Sequence, residues 1–240
     1  MKGTKPFGIK LFADGANLEE MAAAYKQGIV SGFTTNPTLM RKAGIKDYEE
    51  FAKAALKAIP DLPLSFEVFS DDLKGMEREA RKIAGWGKNV YIKIPVTNTW
   101  GESTAPLIKK LSTAALQLNI TALLTVEQVK LVSQALSPAT PSIVSVFAGR
   151  IADTGRDPMP IMREAAGLLK PLPKAELLWA SSRELLNIFQ AEACGGHIIT
   201  VTNDLLKKIP LIGKELKELS LDTVKMFYTD AQAAGYKLCE

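Results

Sequence analysis

Eight short apolar runs, each followed by a helix-like stretch, constrain this chain more than any other feature of it. The runs are 9–14 (IKLFAD), 30–35 (VSGFTT), 64–69 (LSFEVF), 89–94 (NVYIKI), 119–124 (NITALL), 142–148 (SIVSVFA), 176–181 (ELLWAS) and 197–202 (HIITVT). Each is bounded by turn formers, as buried parallel strands are. LEEMAAAYKQ follows the first run, with Asn17 as N-cap and Glu19 and Glu20 in the first turn. DYEEFAKAALKAI follows the second, with Asp47 as N-cap. DDLKGMEREARKIAGWG, TVEQVKLVSQAL, MPIMREAAGLL and SSRELLNIFQAEA follow the third, fifth, sixth and seventh, and TWGESTAPLIKKLSTAAL after the fourth is helical in its second half. Eight β-then-α units in 240 residues predict an α/β fold, a (βα)8 TIM-type barrel, which takes about 200–250 residues. A doubly wound open sheet is the alternative, but it rarely holds so many evenly spaced units. With no linker, low-complexity segment or charge block, the expected organisation is a single domain, 1–240, with a C-terminal helical segment from about 214.

Rare residues narrow the chemistry. The one histidine, His197, excludes zinc sites built on two or three histidines and the H-E-x-x-H motif. A Ser-His-Asp or Cys-His mechanism would have to use His197, which opens the eighth run and reads as structural. Cys194 and Cys239 form no C-x-x-C and no ligand cluster, which suits a reducing compartment and passive roles. Lys+Arg 30 against Asp+Glu 26 leaves +4, too weak a field to imply a nucleic-acid surface. The N-terminal stretch has no signal-like apolar core, and no apolar run approaches the ~20 residues that span a bilayer. The expectation is a cytoplasmic protein without a membrane or nucleic-acid partner.

The informative residues are polar groups inside apolar strands, where neighbours alternate faces. Lys93 lies between Ile92 and Ile94, so if the isoleucines face the helices, Lys93 points into the barrel. Glu67 shares parity with Ser65, and Asn119 with Thr121. Asp14 ends the first strand, Asn36 the second and Ser181 the seventh; Ser145 lies in the sixth, and Arg150 and Arg183 stand just beyond the sixth and seventh. A lone strand lysine more often sits on an edge strand and snorkels to water. Here the company of carboxylates, amides and hydroxyls near the C-terminal strand ends, where barrels of this type carry active sites, favours chemistry. A buried lysine among apolar walls is suited to Schiff-base formation, because desolvation favours the free amine that attacks a carbonyl.

These residues stand in motifs that resemble the transaldolase family, in particular its short members, which include the fructose-6-phosphate aldolases. The resemblance runs from Ile9 to about Leu206. It rests on FADGAN (Phe12–Asn17), GFTTNPTLM (Gly32–Met40), FEV (Phe66–Val68), YIKIPVT (Tyr91–Thr97), NITALL (Asn119–Leu124), FAGRIAD (Phe147–Asp153) and ASSR (Ala180–Arg183), in that order. It implies a class I aldolase that needs no cofactor and no metal. Lys93 would form the Schiff base with a ketose, Asp14 would be the general acid/base, and Glu67 and Thr121 would hold a catalytic water. Asn36 and Ser145 would bind the dihydroxyacetone hydroxyls, with Thr35 lining the same pocket and Asn119 beside them. Arg150, Ser181 and Arg183 would hold the substrate's terminal anion. Trp86, Trp100 and Trp179 read as packing residues, with Trp100 in reach of the site.

The chain departs from the family pattern at Gly15, where threonine is usual, at Val146-Phe147-Ala148, where Pro-Phe-Val is usual, and at Glu184, where asparagine often follows the arginine. The loop PVTNTWGEST is also longer than in short members. A carboxylate beside the anion site leaves phosphate and sulfonate both open. The function implied is transfer of a dihydroxyacetone unit from an anionic ketose to an aldose, in carbohydrate metabolism of the pentose phosphate type, by a homo-oligomer acting on small sugars. Two alternatives stand beside it: a lyase that releases dihydroxyacetone, disfavoured because fructose-6-phosphate aldolases tend to carry glutamine where Glu67 stands, and a non-catalytic sugar-phosphate-binding barrel.

Overall fold

The computed structural model describes residues 7–238. In chain order it runs β1 (Lys10–Asp14), α1 (Leu18–Gln27), β2 (Gly32–Thr34), α2 (Pro37–Lys42), α3 (Tyr48–Ala58), β3 (Leu64–Glu67), α4 (Leu73–Ala84), β4 (Val90–Pro95), α5 (Ala105–Thr113), β5 (Leu118–Leu123) and α6 (Val126–Ala135). It continues through β6 (Ser142–Val146), α7 (Ala148–Ala152), α8 (Met159–Leu169), β7 (Ala175–Trp179), α9 (Leu186–Ala193), β8 (Ile198–Thr202) and α10 (Asn203–Leu206). The eight strands pair in parallel in sequence order, and β8 closes on β1, so the sheet is a (βα)8 barrel. It has no edge strand, which removes the snorkelling alternative for Lys93: that residue is 6% exposed.

The chain divides into two compact units, the first ending at Lys207 and holding the barrel. The second, Lys208–Glu240, contains a 3-10 turn at Ile209–Leu211 and a 19-residue helix, α11 (Leu216–Ala234), closed by Gly235 in the left-handed region.

Local chemistry fixes the helix starts. Asn17 accepts from the Glu19 and Glu20 amides, Asp47 from Glu50 and Asp72 from Gly75, and Thr125 and Gln128 form a reciprocal capping box. The sequence reading missed α2, although TTNPTLM carries its start signal. Asn36 caps the Leu39 amide and Pro37 occupies the first turn, where its missing N–H is no loss. SSRELL also proves non-helical at first: α9 begins only at Leu186.

Inside the barrel, alternation produces two layers. Phe12, Ile143, Leu178 and Ile198 form a buried apolar floor with Tyr91 and Phe147 packed against it. Gly32 makes room for that floor, since a Cβ there would lie 2.5 Å from the Phe12 ring. One pleat further toward the C-terminal ends, the same faces present Asp14, Thr34, Lys93, Ser145 and Thr200. Burial of the floor supplies stability, and the strands' period of two carries the polar layer above it.

Two irregularities shape that upper layer. The β5–β6 register shifts between Ile120 and Leu123, and Ala122 sits at φ 63°. The bulge lets two consecutive residues, Thr121 and Ala122, face the cavity, which a regular strand forbids. After β6 and β7, Gly149 packs against the Ser181 carbonyl so closely that a Cβ would stand 1.6 Å from its oxygen. Ser181 itself takes φ 62°. This interlock sets Arg150 and Ser181 on the same rim.

Candidate active site

A cavity of about 390 Å³ opens at the C-terminal ends of the strands. Of the residues singled out from the sequence, it gathers Asp14, Asn36, Glu67, Lys93, Asn119, Thr121, Ser145, Arg150 and Ser181 in its lining. Two stand outside. Thr35 is fully buried and turned away, its hydroxyl donating to the Ser65 carbonyl at 2.9 Å; its neighbour Thr34 is the one that faces the cavity. Arg183 lies outside the lining and is engaged with Asp153, its Nε donating to Oδ1 at 3.0 Å and its Nη2 to Oδ2. The pair is bidentate but exposed at both partners, so it contributes little to stability.

Lys93 is held at the centre of the site. Its ammonium donates to the Thr35 carbonyl at 2.7 Å and lies 3.3 Å from Glu67 Oε2. Glu67 and Lys93 are direct neighbours in the β3–β4 register, which is why the pair forms without long loops. Thr121 stands one strand further on, opposite Pro95. Its hydroxyl is buried and has no protein partner among the described residues. A buried hydroxyl lining a cavity in this condition is suited to a water or a substrate oxygen.

Asp14 faces the lysine from β1. Burial pushes its carboxyl above the ordinary carboxylate range, against the opposing pull of the Lys93 ammonium and of a 2.8 Å hydrogen bond from the Thr34 hydroxyl. Thr34 in turn lies 2.6 Å from the Thr200 hydroxyl, so the chain Thr200–Thr34–Asp14 can orient the carboxyl. A second chain crosses the barrel: Ser145 Oγ donates to Asn119 Oδ1 at 2.7 Å, and Asn119 Nδ2 donates to Ser65 Oγ at 3.0 Å. Asn119 is thereby fixed in one amide orientation, with the Ser145 hydroxyl on the cavity wall.

At the rim, the Arg150 guanidinium lies 5.2 Å from the centre of the Phe147 ring, a cation–π distance. No ion pair engages it among the described residues. With Ser181 also in the lining, Arg150 offers a charged donor and Ser181 a neutral one to an anion at the cavity mouth. Glu184 does not line the cavity; its amide donates to Asn187 Oδ1. It therefore gives no ground for preferring sulfonate over phosphate.

Thr34, Thr200 and Phe147 are lining residues that the sequence reading passed over. Parity would have found Thr34, the last residue of β2, two positions before Asn36. Trp100 is 76% exposed and outside the lining, so it neither packs nor reaches the site. Trp179 is fully buried, and Trp86 packs edge-on against Phe66. His197 Nδ1 accepts from the Leu177 amide at 3.0 Å, away from the cavity. Burial pushes the Cys194 thiol up, and Cys239 lies outside the described residues. Among the described residues no group of three or more His, Cys, Asp or Glu is arranged to hold a metal ion. No helix among them is long and apolar enough to cross a membrane.

Comparison with known proteins bears on the fold and the family. A solved structure titled as a putative dihydrodipicolinate synthase family protein from Coccidioides immitis superposes with a TM-score of 0.61. It is 14% identical, over 96% of this chain and 78% of the other, and so shares the fold alone. Closer in sequence, a probable transaldolase of Dehalococcoides mccartyi is 36% identical over 84% of this chain and 90% of its own length. Another, of Thermoanaerobacter sp., is 33% identical over 96% and 100%. The family model for Transaldolase/Fructose-6-phosphate aldolase matches residues 11–238, a span that includes every strand end of the cavity. A barrel with a lysine–carboxylate centre, relatives of this length and that match together place the chain in the transaldolase/fructose-6-phosphate aldolase family.

Proposed function

We propose that this protein is a transaldolase that moves a dihydroxyacetone unit from an anionic ketose to an aldose through a Schiff base on Lys93. The observation that carries the reading is the buried Lys93 amine, 3.3 Å from Glu67 in a cavity that also presents Asp14 and the unpartnered Thr121 hydroxyl. The amine adds to the C2 ketone, giving a carbinolamine; loss of water gives the iminium. The C3–C4 bonding electrons then flow into the iminium as the C4 hydroxyl yields its proton to Asp14 and the first aldehyde leaves. The enamine left on Lys93 attacks an acceptor aldehyde, whose oxygen takes the proton back, and water hydrolyses the new iminium. Glu67 and Thr121 hold the water and exchange protons with the carbinolamine. Asn36 and Ser145 meet the hydroxyls of the three-carbon unit, with Asn119 fixing Ser145. All these residues belong to the barrel unit.

Turnover is expected to depend strongly on added aldehyde, because without an acceptor the enamine persists on the enzyme. Free dihydroxyacetone released rapidly from a ketose phosphate with no acceptor present would assign the lyase reaction instead. Glu67→Gln should move the balance toward release, read as the ratio of dihydroxyacetone to transfer product.

For the terminal anion, the structure separates two arginines that the sequence treats alike. Arg150→Ala should lower kcat/KM for an anionic ketose by roughly 10- to 150-fold, the equivalent of about 1.5–3 kcal/mol for a charge-assisted hydrogen bond. It should change little with the matching uncharged sugar. Arg183→Ala, tied to Asp153, should cost less. Equal losses with charged and uncharged sugars would remove Arg150 from the anion site.

A further inference from the structure

The β2–β3 ladder stops one rung early, and the missing rung lies beneath the Schiff-base lysine. The Thr35 amide donates to the Ser65 carbonyl at 3.3 Å, and the last paired residues are Thr34 and Ser65. Continuing a parallel ladder would send the Glu67 amide to the Thr35 carbonyl. Neither group does so. The Thr35 carbonyl accepts from the Lys93 ammonium at 2.7 Å, and the Glu67 amide donates at 2.6 Å to the hydroxyl of Tyr48, the first residue of α3. The same hydroxyl donates to the Glu67 carbonyl at 3.1 Å. One phenol thus satisfies both backbone groups of Glu67 on that side.

We propose that Tyr48 is a positioning residue for the reaction: by replacing the ladder rung it frees the Thr35 carbonyl for Lys93 and fixes Glu67 beside it. Buried N–H groups rarely stay unpaired, so without the phenol the Glu67 amide is driven to the nearest backbone acceptor, the carbonyl that Lys93 uses. The ring packs among Phe66, Phe69 and Trp86, with centroids 6.1, 4.5 and 5.6 Å away, while its position is set by the two hydrogen bonds to Glu67. Burial pushes the phenol above its ordinary titration range, so it keeps the proton it donates. Tyr48 touches no reacting atom in this account and acts through Glu67 and Thr35. The inference rests on Lys93 being the Schiff-base amine.

Tyr48→Phe keeps the ring and removes only the hydroxyl. Single-turnover borohydride trapping with a donor ketose then separates rate from active fraction. The expected result is adduct formation at Lys93 slowed about 5- to 30-fold, the size of one or two displaced hydrogen bonds. kcat should fall in parallel, with the donor KM within about 2-fold and the final adduct stoichiometry unchanged. Trp86→Phe is the control, because it loosens the same ring without touching the hydroxyl. It should lower Tm while leaving the trapping rate near wild type. A Tyr48→Phe protein that traps as fast as wild type, or that loses only stoichiometry, overturns the proposal. So does a Trp86→Phe protein that slows equally for the same loss of Tm. Any of those three results beside normal wild-type labelling of Lys93 sinks this inference alone. A wild type that never labels at Lys93 overturns the Schiff-base reading and this inference with it.

Discussion

Replacement of Lys93 by methionine should abolish turnover, with kcat falling on the order of 10⁴-fold or more, as when a covalent nucleophile is lost. The magnitude follows from its role. No other lysine among the described residues lines the cavity, and in the proposed mechanism the electron sink for C3–C4 cleavage is the iminium on that amine. Folding should survive, because methionine has similar length and the flanking Ile92 and Ile94 keep β4 packed on its other face. It removes one charge from the Lys93–Glu67 pair, leaving Glu67 uncompensated at a partly buried position. A moderate fall in Tm is therefore expected, and Lys93→Met with Glu67→Gln should recover part of it. Steady-state kinetics with the best ketose–aldose pair, together with thermal melts of the single and double variants, check both statements. Retention of more than about one-hundredth of wild-type kcat by a folded Lys93→Met protein would remove Lys93 from the chemistry.

Asp14→Asn should separate activity from stability in opposite directions. Losing the proton acceptor for the C4 hydroxyl should lower kcat by about 10²- to 10⁴-fold, the usual contribution of a positioned acid–base group. Stability should rise at neutral pH. The carboxyl of Asp14 binds its proton more tightly in the folded chain, chiefly because it is buried. Its effect therefore favours folding below the unfolded value, near the ordinary 3.8, and is lost as pH rises through the folded value. Above that point the wild type carries a desolvated charge that asparagine avoids, while the Thr34 hydrogen bond can be kept by the amide oxygen. The Tm advantage of Asp14→Asn should shrink as pH falls toward 3.8. An advantage that is independent of pH, or a loss of Tm at pH 7, would contradict this account of the carboxyl.

Much of this was legible because strands encode direction with a period of two. Lys93 between two isoleucines, Asn119 and Thr121 on one parity, and Asp14 at a strand end all fall where alternation puts them. The same rule, applied to the second strand, favours Thr34 over Thr35; the TTNP resemblance drew attention to the wrong threonine, whose backbone carbonyl proves to be its contribution. Long side chains beyond strand ends are another matter. The sequence places Arg150 and Arg183 equivalently, one after each strand, but their directions depend on what the neighbouring turn supplies. Gly149 and the left-handed Ser181 bring Arg150 to the rim, while Asp153 from α7's C-terminal end draws Arg183 off. Tyr48 carried no strand signal at all, since its role depends on a ladder rung that fails to form across β2 and β3. The bulge at Ala122, a non-glycine in the left-handed region, was equally silent, because no glycine or proline marks it.

The most direct measurement is borohydride trapping of the wild-type protein with a donor ketose, followed by intact mass and peptide mapping. One dihydroxyacetone-derived adduct per chain is expected, carried by the peptide that contains Lys93 and lost again when an aldehyde acceptor is added before the reductant. An adduct on a different lysine, or none from any ketose that the protein turns over, would contradict it.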